Sequence, residues 1–121
     1  MGAIQIKRIY WPAEKADGKR ILIDRLWPRG VKKESAHIDE WMKAIAPSDA
    51  LRKWFHQDSN REKWEEFKAK YTLELKQNAA VNDLLDIINK NEKVTLLYAA
   101  RDEYQNHALV LMEFINELLK H

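Results

Sequence analysis

The chain has 121 residues, of which 45% are apolar and 33% charged, and this composition is typical of a single globular domain. It has no cysteine, which excludes disulfides, thiolate metal sites and cysteine nucleophiles and fits a reducing cytoplasm. Its net charge of +2 is too small to indicate nucleic acid by itself, and no apolar run approaches the roughly 20 residues of a membrane helix, so no membrane partner is expected.

The N-terminal region predicts two strands. Residues 4–9 begin with alternating apolar and polar side chains, as in a strand with one solvated face. Ile21, Leu22 and Ile23 form a continuous apolar run, as in a strand buried on both faces. The loop at 10–19 is short for a parallel crossover, so the spacing alone leaves an antiparallel pair open.

Residues 38–45 allow two interpretations. Ile38, Trp41, Met42 and Ile45 have helical spacing, and Pro47 ends the segment. The preceding residues, 32–36, are polar and predict a turn or a short helical turn.

Helices and one further strand complete the chain. Ser48 is a predicted N-cap, and a Ser-x-x-Glu capping box starts at Ser59. Apolar stripes predict helices through residues 51–55, 64–75, 81–88 and 108–119, and residues 94–98 predict a central parallel strand. We therefore predict one α/β domain over residues 1–121, with a short, mostly parallel sheet of three to four strands flanked by helices.

Charged residues follow two of the predicted strands directly. Arg25 and Arg29 follow the second strand, and Arg101 follows the last. Ligands collect outside the carboxyl ends of strands in open α/β sheets, so these arginines would form an anion site if the two strands are parallel neighbours. Arg8 joins them only if the first strand runs the same way. A structural alternative is that Arg25 pairs with a nearby carboxylate.

Three residues at the same strand ends are candidate acid–base groups: Asp24, Asp102 and His107. Each also has a structural interpretation, as an ion-pair partner or a helix cap. The remaining histidines are scattered, so we predict no metal site. No glycine-rich phosphate loop is present, and the sequence leaves the cofactor unknown.

Four stretches resemble the DUF488 family and, within it, the short YeaO-like branch. They are Lys-Arg-Ile-Tyr at 7–10, Asp-Arg-Leu-Trp-Pro-Arg-Gly at 24–30, Ala-Pro-Ser at 46–48 with Leu-Arg-Lys-Trp-Phe at 51–55, and Thr-Leu-Leu-Tyr-Ala-Ala-Arg-Asp at 95–102 with Asn-His at 106–107. The resemblance covers nearly the whole chain. It implies a fold and a set of motif positions, but no reaction.

The resemblance also bears on two segments. In longer relatives a helix and then a strand follow the Pro-Arg motif, which implies a third strand at 38–44 and a remnant of the helix at 32–36. The longer relatives carry a Cys-His-Arg-like sequence where this chain has Asn106, His107 and Ala108. The resemblance therefore gives no thiol chemistry to this chain.

The leading hypothesis is a small enzyme or ligand-binding domain that holds an anionic molecule, a phosphate or a nucleotide, at the arginines. Two alternatives remain. One is a nucleic-acid-binding accessory protein, with Lys32 and Lys33 joining the arginines. The other is a non-catalytic interaction module with an aromatic surface at Trp54 and Trp64, tryptophans whose simplest interpretation is core. Catalysis and oligomeric state are left open.

Overall fold

The computed structural model describes residues 3–57 and 61–120, without the side chains of residues 61 and 62. Within these residues four strands form one sheet in the order β1-β4-β2-β3, and every pairing among them is parallel. The strands are β1 (Ala3–Arg8), β2 (Lys19–Leu22), β3 (Glu40–Trp41) and β4 (Lys93–Tyr98). The predicted α/β class is confirmed, and the direction of the first strand, which the sequence left open, is parallel.

Five helices in the described ranges accompany the sheet. They are α1 (Lys33–Ala36), α2 (Asp49–His56), α3 (Arg61–Lys76), α4 (Ala80–Lys90) and α5 (His107–Leu119). The Oγ of Ser48 accepts a hydrogen bond from the Leu51 amide at 3.2 Å, so its predicted role as the N-cap of α2 is confirmed. The capping box predicted at Ser59 lies outside the described residues. No helix in the described ranges has the length and apolar character needed to cross a membrane.

The segment at 38–45 holds a strand, but a very short one. Strand β3 comprises Glu40 and Trp41 and pairs with Ile21 and Leu22 of β2. A 3-10 turn follows at Lys43–Ile45. The helical spacing of the apolar residues was therefore misleading, because this segment buries them through a strand and a turn rather than through one helical face. The helix remnant implied by the resemblance corresponds to α1.

The two faces of the sheet are covered differently. Apolar side chains of one face pack with the helices in the main core, including Ile21, Leu96 and Tyr98. On the other face Leu22 and Leu97 pack with loop residues in a smaller cluster. This asymmetry follows from period-two alternation along each strand, which sends neighbouring side chains to opposite faces.

The crossover from β1 to β2 passes over β4 in only ten residues and depends on Gly18. Gly18 has a φ of 65°, and a Cβ at this position would lie 2.3 Å from the Lys93 carbonyl oxygen. Only glycine combines this backbone conformation with so close an approach. The crossover holds only a 3-10 turn at Lys15–Asp17 and no α-helix, and this close approach lets a loop so short join parallel strands.

Candidate functional site

A cavity of about 250 Å³ opens at the carboxyl ends of β2 and β4. In the sheet order β1-β4-β2-β3 these two strands are parallel neighbours, so their carboxyl ends lie side by side at one edge. Such points are the usual ligand sites of open α/β sheets. Loops at 24–28 and 99–107 form two walls, and residues of α2, α3 and the turn at 46–47 form the rest.

Asp24 connects the residues that follow β2 with those that follow β4. Its Oδ2 accepts a hydrogen bond from the Ala99 amide at 3.0 Å, and its main-chain carbonyl accepts one from the Trp41 indole at 2.7 Å. These bonds hold the carboxyl group against the start of the loop that follows β4. Asp24 thereby links β2 both to β4 and to the segment of β3.

His107 lies opposite the second oxygen of Asp24. Its Nε2 is 2.9 Å from Asp24 Oδ1 and 3.2 Å from the Ile23 carbonyl oxygen. A carbonyl oxygen only accepts, so Nε2 carries the hydrogen. The Nε2–H group therefore faces two acceptors, the Ile23 carbonyl oxygen and Asp24 Oδ1, and it holds the Asp24 carboxylate against the start of α5. Two of the three candidate acid–base residues thus meet in the cavity wall.

Arg25 lines the cavity, but two of its guanidinium nitrogens donate hydrogen bonds to backbone carbonyls. Its Nε donates to the Pro47 carbonyl at 3.0 Å, and a terminal nitrogen donates to the Ala46 carbonyl at 3.4 Å. Ala46 and Pro47 also line the cavity. Arg25 therefore holds this wall in place and retains further N–H donors, because a guanidinium has five.

Helix α2 contributes three lining residues that the sequence analysis did not place at the site: Arg52, Phe55 and His56. Arg52 donates to Asp49 Oδ1 at 2.8 Å, whereas its buried Nε has no hydrogen-bond partner. The spacing of these three residues could have indicated that they lie together, because residues three and four positions apart share one face of a helix.

The positive charge of Arg52 also affects a neighbouring imidazole. Partial burial, followed by repulsion from Arg52 and His107, lowers the pKa of His56 below its ordinary value. These groups therefore share one electrostatic environment along α2 and the start of α5. The structure thus adds two titratable or charged residues of α2 to those predicted from the strand ends.

The other predicted residues lie outside the cavity lining. Arg8 donates to the carbonyls of Ala99 and Ala100 at 3.2 and 2.9 Å and so supports that wall from behind. Arg29 and Arg101 are exposed. Asp102 is exposed as well, and its Oδ1 accepts hydrogen bonds from two amides of its own loop.

The tryptophans named as an interaction surface face inward. Trp64 is 8% exposed and belongs to the main core, and Trp54 is half-buried against it. Lys70 and Lys63 lie over the Trp54 ring, with Nζ 4.0 and 4.9 Å from its centre. This pair therefore offers no open aromatic patch. Within the described ranges, no three potential metal ligands come together.

Comparisons with known proteins agree with the sequence motifs. The sequence model of DUF488-N3i, described as the inactive DUF488-N3 subclade, matches residues 3–121. "Uncharacterized protein YeaO" of Escherichia coli K12 is 48% identical over 115 residues, which cover 95% of this chain and 98% of that protein. "Uncharacterized protein Rv3073c" of Mycobacterium tuberculosis H37Rv is 34% identical over 113 residues, which cover 93% of each chain. No solved structure gives a significant match. The chain thus belongs to the DUF488 family, and within it to the DUF488-N3i subclade.

Proposed function

We propose that this chain is a ligand-binding domain whose cavity holds a small molecule with an anionic group. One observation carries the proposal. Arg25 and Arg52 both line a cavity at the carboxyl ends of β2 and β4, and each guanidinium has more N–H donors than its bonds to the backbone or to Asp49 use. Carboxyl ends of parallel strands are the usual ligand sites of open α/β sheets, and unused guanidinium donors there favour a ligand with an anionic group.

The charge of the lining supports an anion. Arg25 and Arg52 are permanent cations, against the single carboxylate of Asp24. Guanidinium groups bind phosphate and carboxylate through paired N–H donors, which suits a phosphate, a nucleotide phosphate or a carboxylate. The proposal keeps Asp24, His107 and Arg25 from the sequence-based candidates and gives the second arginine contact to Arg52 in place of Arg29 or Arg101. The lack of cysteine suits a reducing cytoplasm, where we propose that the protein works.

Binding without turnover is the favoured form of the proposal, because the matched subclade is described as inactive. Acid–base catalysis is a second candidate, favoured by the 2.9 Å approach of His107 Nε2 to Asp24 Oδ1. Incubation of the protein with its ligand, followed by NMR, separates the two functions. An unchanged ligand supports binding alone, and a product whose formation His107→Gln abolishes would establish an enzyme.

The test of binding uses a thermal-shift panel of phosphate, nucleotides, phosphorylated metabolites, small carboxylates and a short oligonucleotide. Compounds that raise the melting temperature are titrated against Arg52→Met and Lys53→Met. Arg52 and Lys53 both pair with Asp49, but Lys53 does not line the cavity. Arg52→Met is expected to weaken binding about 10- to 100-fold, because a charge-assisted hydrogen bond is lost.

Lys53→Met is the matched control and should bind as the unaltered protein does. A panel without any binder would refute the proposal, as would equal affinities of the two variants. An oligonucleotide that binds with steep salt dependence, and equally well to both variants, would favour the nucleic-acid alternative instead.

A further inference from the structure

Apolar and aromatic side chains make up more than half of the residues that line the cavity. Phe55 of α2 and Phe67 of α3 are stacked with ring centres 4.3 Å apart, and Leu26, Trp27 and Pro28 also belong to the lining. Pockets of this kind bind a ligand chiefly by burying its apolar surface, while a few polar groups fix its orientation. The lining therefore favours a ligand with an apolar body.

Several polar groups in the cavity walls are already paired within the protein. Asp24 Oδ2 accepts a hydrogen bond from the Ala99 amide, and Asp24 Oδ1 lies 2.9 Å from the Nε2–H group of His107. Asn106 is 2% exposed, and its Oδ1 accepts from the Leu109 amide at 2.9 Å. A sugar or a nucleoside would lose many hydrogen bonds to water here and regain few of them, whereas an apolar body loses none. These walls therefore disfavour a ligand with many hydroxyl groups.

The charge of the lining matches one negative charge on the ligand better than two. Arg25 and Arg52 are permanently positive, and Asp24 is the one acidic residue among the described residues of the lining. Asp49, which pairs with Arg52, also pairs with Lys53, so Asp49 and Lys53 together add no net charge. One net positive charge remains, and a carboxylate balances it. A phosphate monoester, with a charge of about −1.5 to −2 at pH 7, would bring surplus negative charge into the cavity.

The volume of the cavity limits the apolar body to one ring or a short chain. At about 250 Å³ the cavity exceeds the roughly 150 Å³ that holds benzene in an engineered protein cavity, and it lies below the roughly 300–1,000 Å³ of typical ligand pockets. Leu26 lines the cavity and is nonetheless 59% exposed, so apolar surface continues from the interior to the mouth. A ligand with an apolar body would cover this leucine as well.

We infer that the ligand is a small organic carboxylate with an apolar body, the size of a single ring or a short hydrocarbon chain, rather than a phosphate ester or a nucleotide. This inference rests on the proposed function and narrows its ligand class. The carboxylate lies at the guanidinium groups of Arg25 and Arg52, and the body packs against Phe55, Phe67 and Leu26. One molecule of this kind matches the apolar lining, the net charge and the volume together.

The experiment compares six probes by isothermal titration at pH 7.5. Benzoate, cyclohexanecarboxylate and hexanoate have both the charge and the body. Acetate has the charge without the body, benzyl alcohol has a ring without the charge, and phenyl phosphate has a ring with a larger charge. At least one of the three larger carboxylates is expected to bind about tenfold more tightly than each of the other probes, because it alone combines buried apolar surface with a matching charge.

Leu26→Gln and Leu73→Gln form a matched pair of variants, because the two leucines are 59% and 60% exposed and Leu73 does not line the cavity. Leu26→Gln is expected to weaken binding of the larger carboxylates about three- to fivefold and to leave binding of acetate unchanged. Leu73→Gln should change neither, and both variants should melt almost as the unaltered protein does. Nuclear Overhauser contacts between the bound probe and the rings of Phe55 and Phe67 provide a readout that needs no substitution.

The outcomes separate this inference from the proposed function. Acetate or phenyl phosphate that binds as tightly as the larger carboxylates overturns the apolar carboxylate and leaves the anion site standing. Equal effects of the two leucine substitutions, or a bound probe without contacts to those rings, overturn it as well. Benzyl alcohol that binds as tightly as benzoate would show that charge plays no part and would refute both. If neither these probes nor the larger anion panel binds, the proposed function itself fails.

Discussion

Asp17 is a buried carboxylate in the crossover between β1 and β2. It is 1% exposed and pairs with two cations that are themselves buried, Lys7 at 3.0 Å and Arg20 at 2.5 Å. Burial by itself would raise the pKa of Asp17, but hydrogen bonds from the Glu14 amide and from Lys7 and Arg20 outweigh it and lower that pKa below its ordinary value. The ionised carboxylate therefore stabilises the short crossover between β1 and β2.

Asp17→Asn is expected to lower the free energy of unfolding by about 3–5 kcal/mol, because it leaves Lys7 and Arg20 buried without their counter-charge. Urea denaturation at neutral pH measures the loss. Asp86→Asn, on the exposed face of α4, is the control and should change stability by less than about 0.5 kcal/mol. Equal effects of the two substitutions would mean that the buried cluster contributes nothing specific.

At the scale of elements, Glu74 fixes the start of α2 to α3. Its Oε1 accepts from the Ser48 amide at 2.8 Å, and its Oε2 accepts from the Ser48 hydroxyl at 2.6 Å. Ser48 is the N-cap of α2, where a carboxylate is also favoured by the helix dipole. Since α2 carries Arg52 and Phe55, this contact positions one wall of the cavity.

Glu74→Gln tests the contact between Glu74 of α3 and Ser48 at the start of α2. The substitution removes the charge from two hydrogen bonds, and we expect the free energy of unfolding to fall by about 1.5–3 kcal/mol. The comparison variant is Glu66→Gln on the same helix, where the exposed pair with Lys70 at 3.9 Å predicts a loss of no more than about 1 kcal/mol. Chemical denaturation of both variants decides, and a Glu66→Gln loss as large as that of Glu74→Gln would contradict the assignment.

At the scale of the whole molecule, protonation of His56 makes the stability of the fold depend on pH. Its pKa is below the unfolded value of about 6.5, chiefly through partial burial and then through Arg52 and His107. As pH falls below that value, the unfolded chain binds the proton more readily than the folded protein does. His56 therefore lowers stability on the acidic side of about pH 6.5 until the folded form is protonated too.

An anion bound in the cavity favours protonation of the folded protein, since it stabilises the protonated ring of His56. We expect the affinity of the ligand to rise as pH falls from about 7.5 toward and through the lowered pKa, while the stability of the ligand-free protein falls. Titration calorimetry and thermal melts across this range measure the two trends. His56→Gln should reduce both, and an unchanged pH profile of affinity in that variant would show that another group is responsible.

The sequence by itself determined the class of fold and indicated the strand ends beside which the cavity opens. Continuous apolar runs at residues 21–23 and 94–98 identified buried strands, and Ser48 marked the start of α2. Charged residues placed directly after buried strands located the cavity, because the carboxyl ends of parallel strands share one edge. These features depend on residues close together in the chain, and so local pattern was sufficient.

Only the tertiary structure decided which charged groups face the cavity. Arg8 and Arg25 turn to main-chain carbonyls that the sequence pattern does not reveal, whereas Arg52 enters the lining because α2 packs beside the strand ends. An arginine side chain is long and freely rotating, and the nearest acceptor in space decides where its guanidinium group lies. The parallel direction of β1 likewise rests on contacts between distant segments, through Gly18 against Lys93 and Asp17 between two cations.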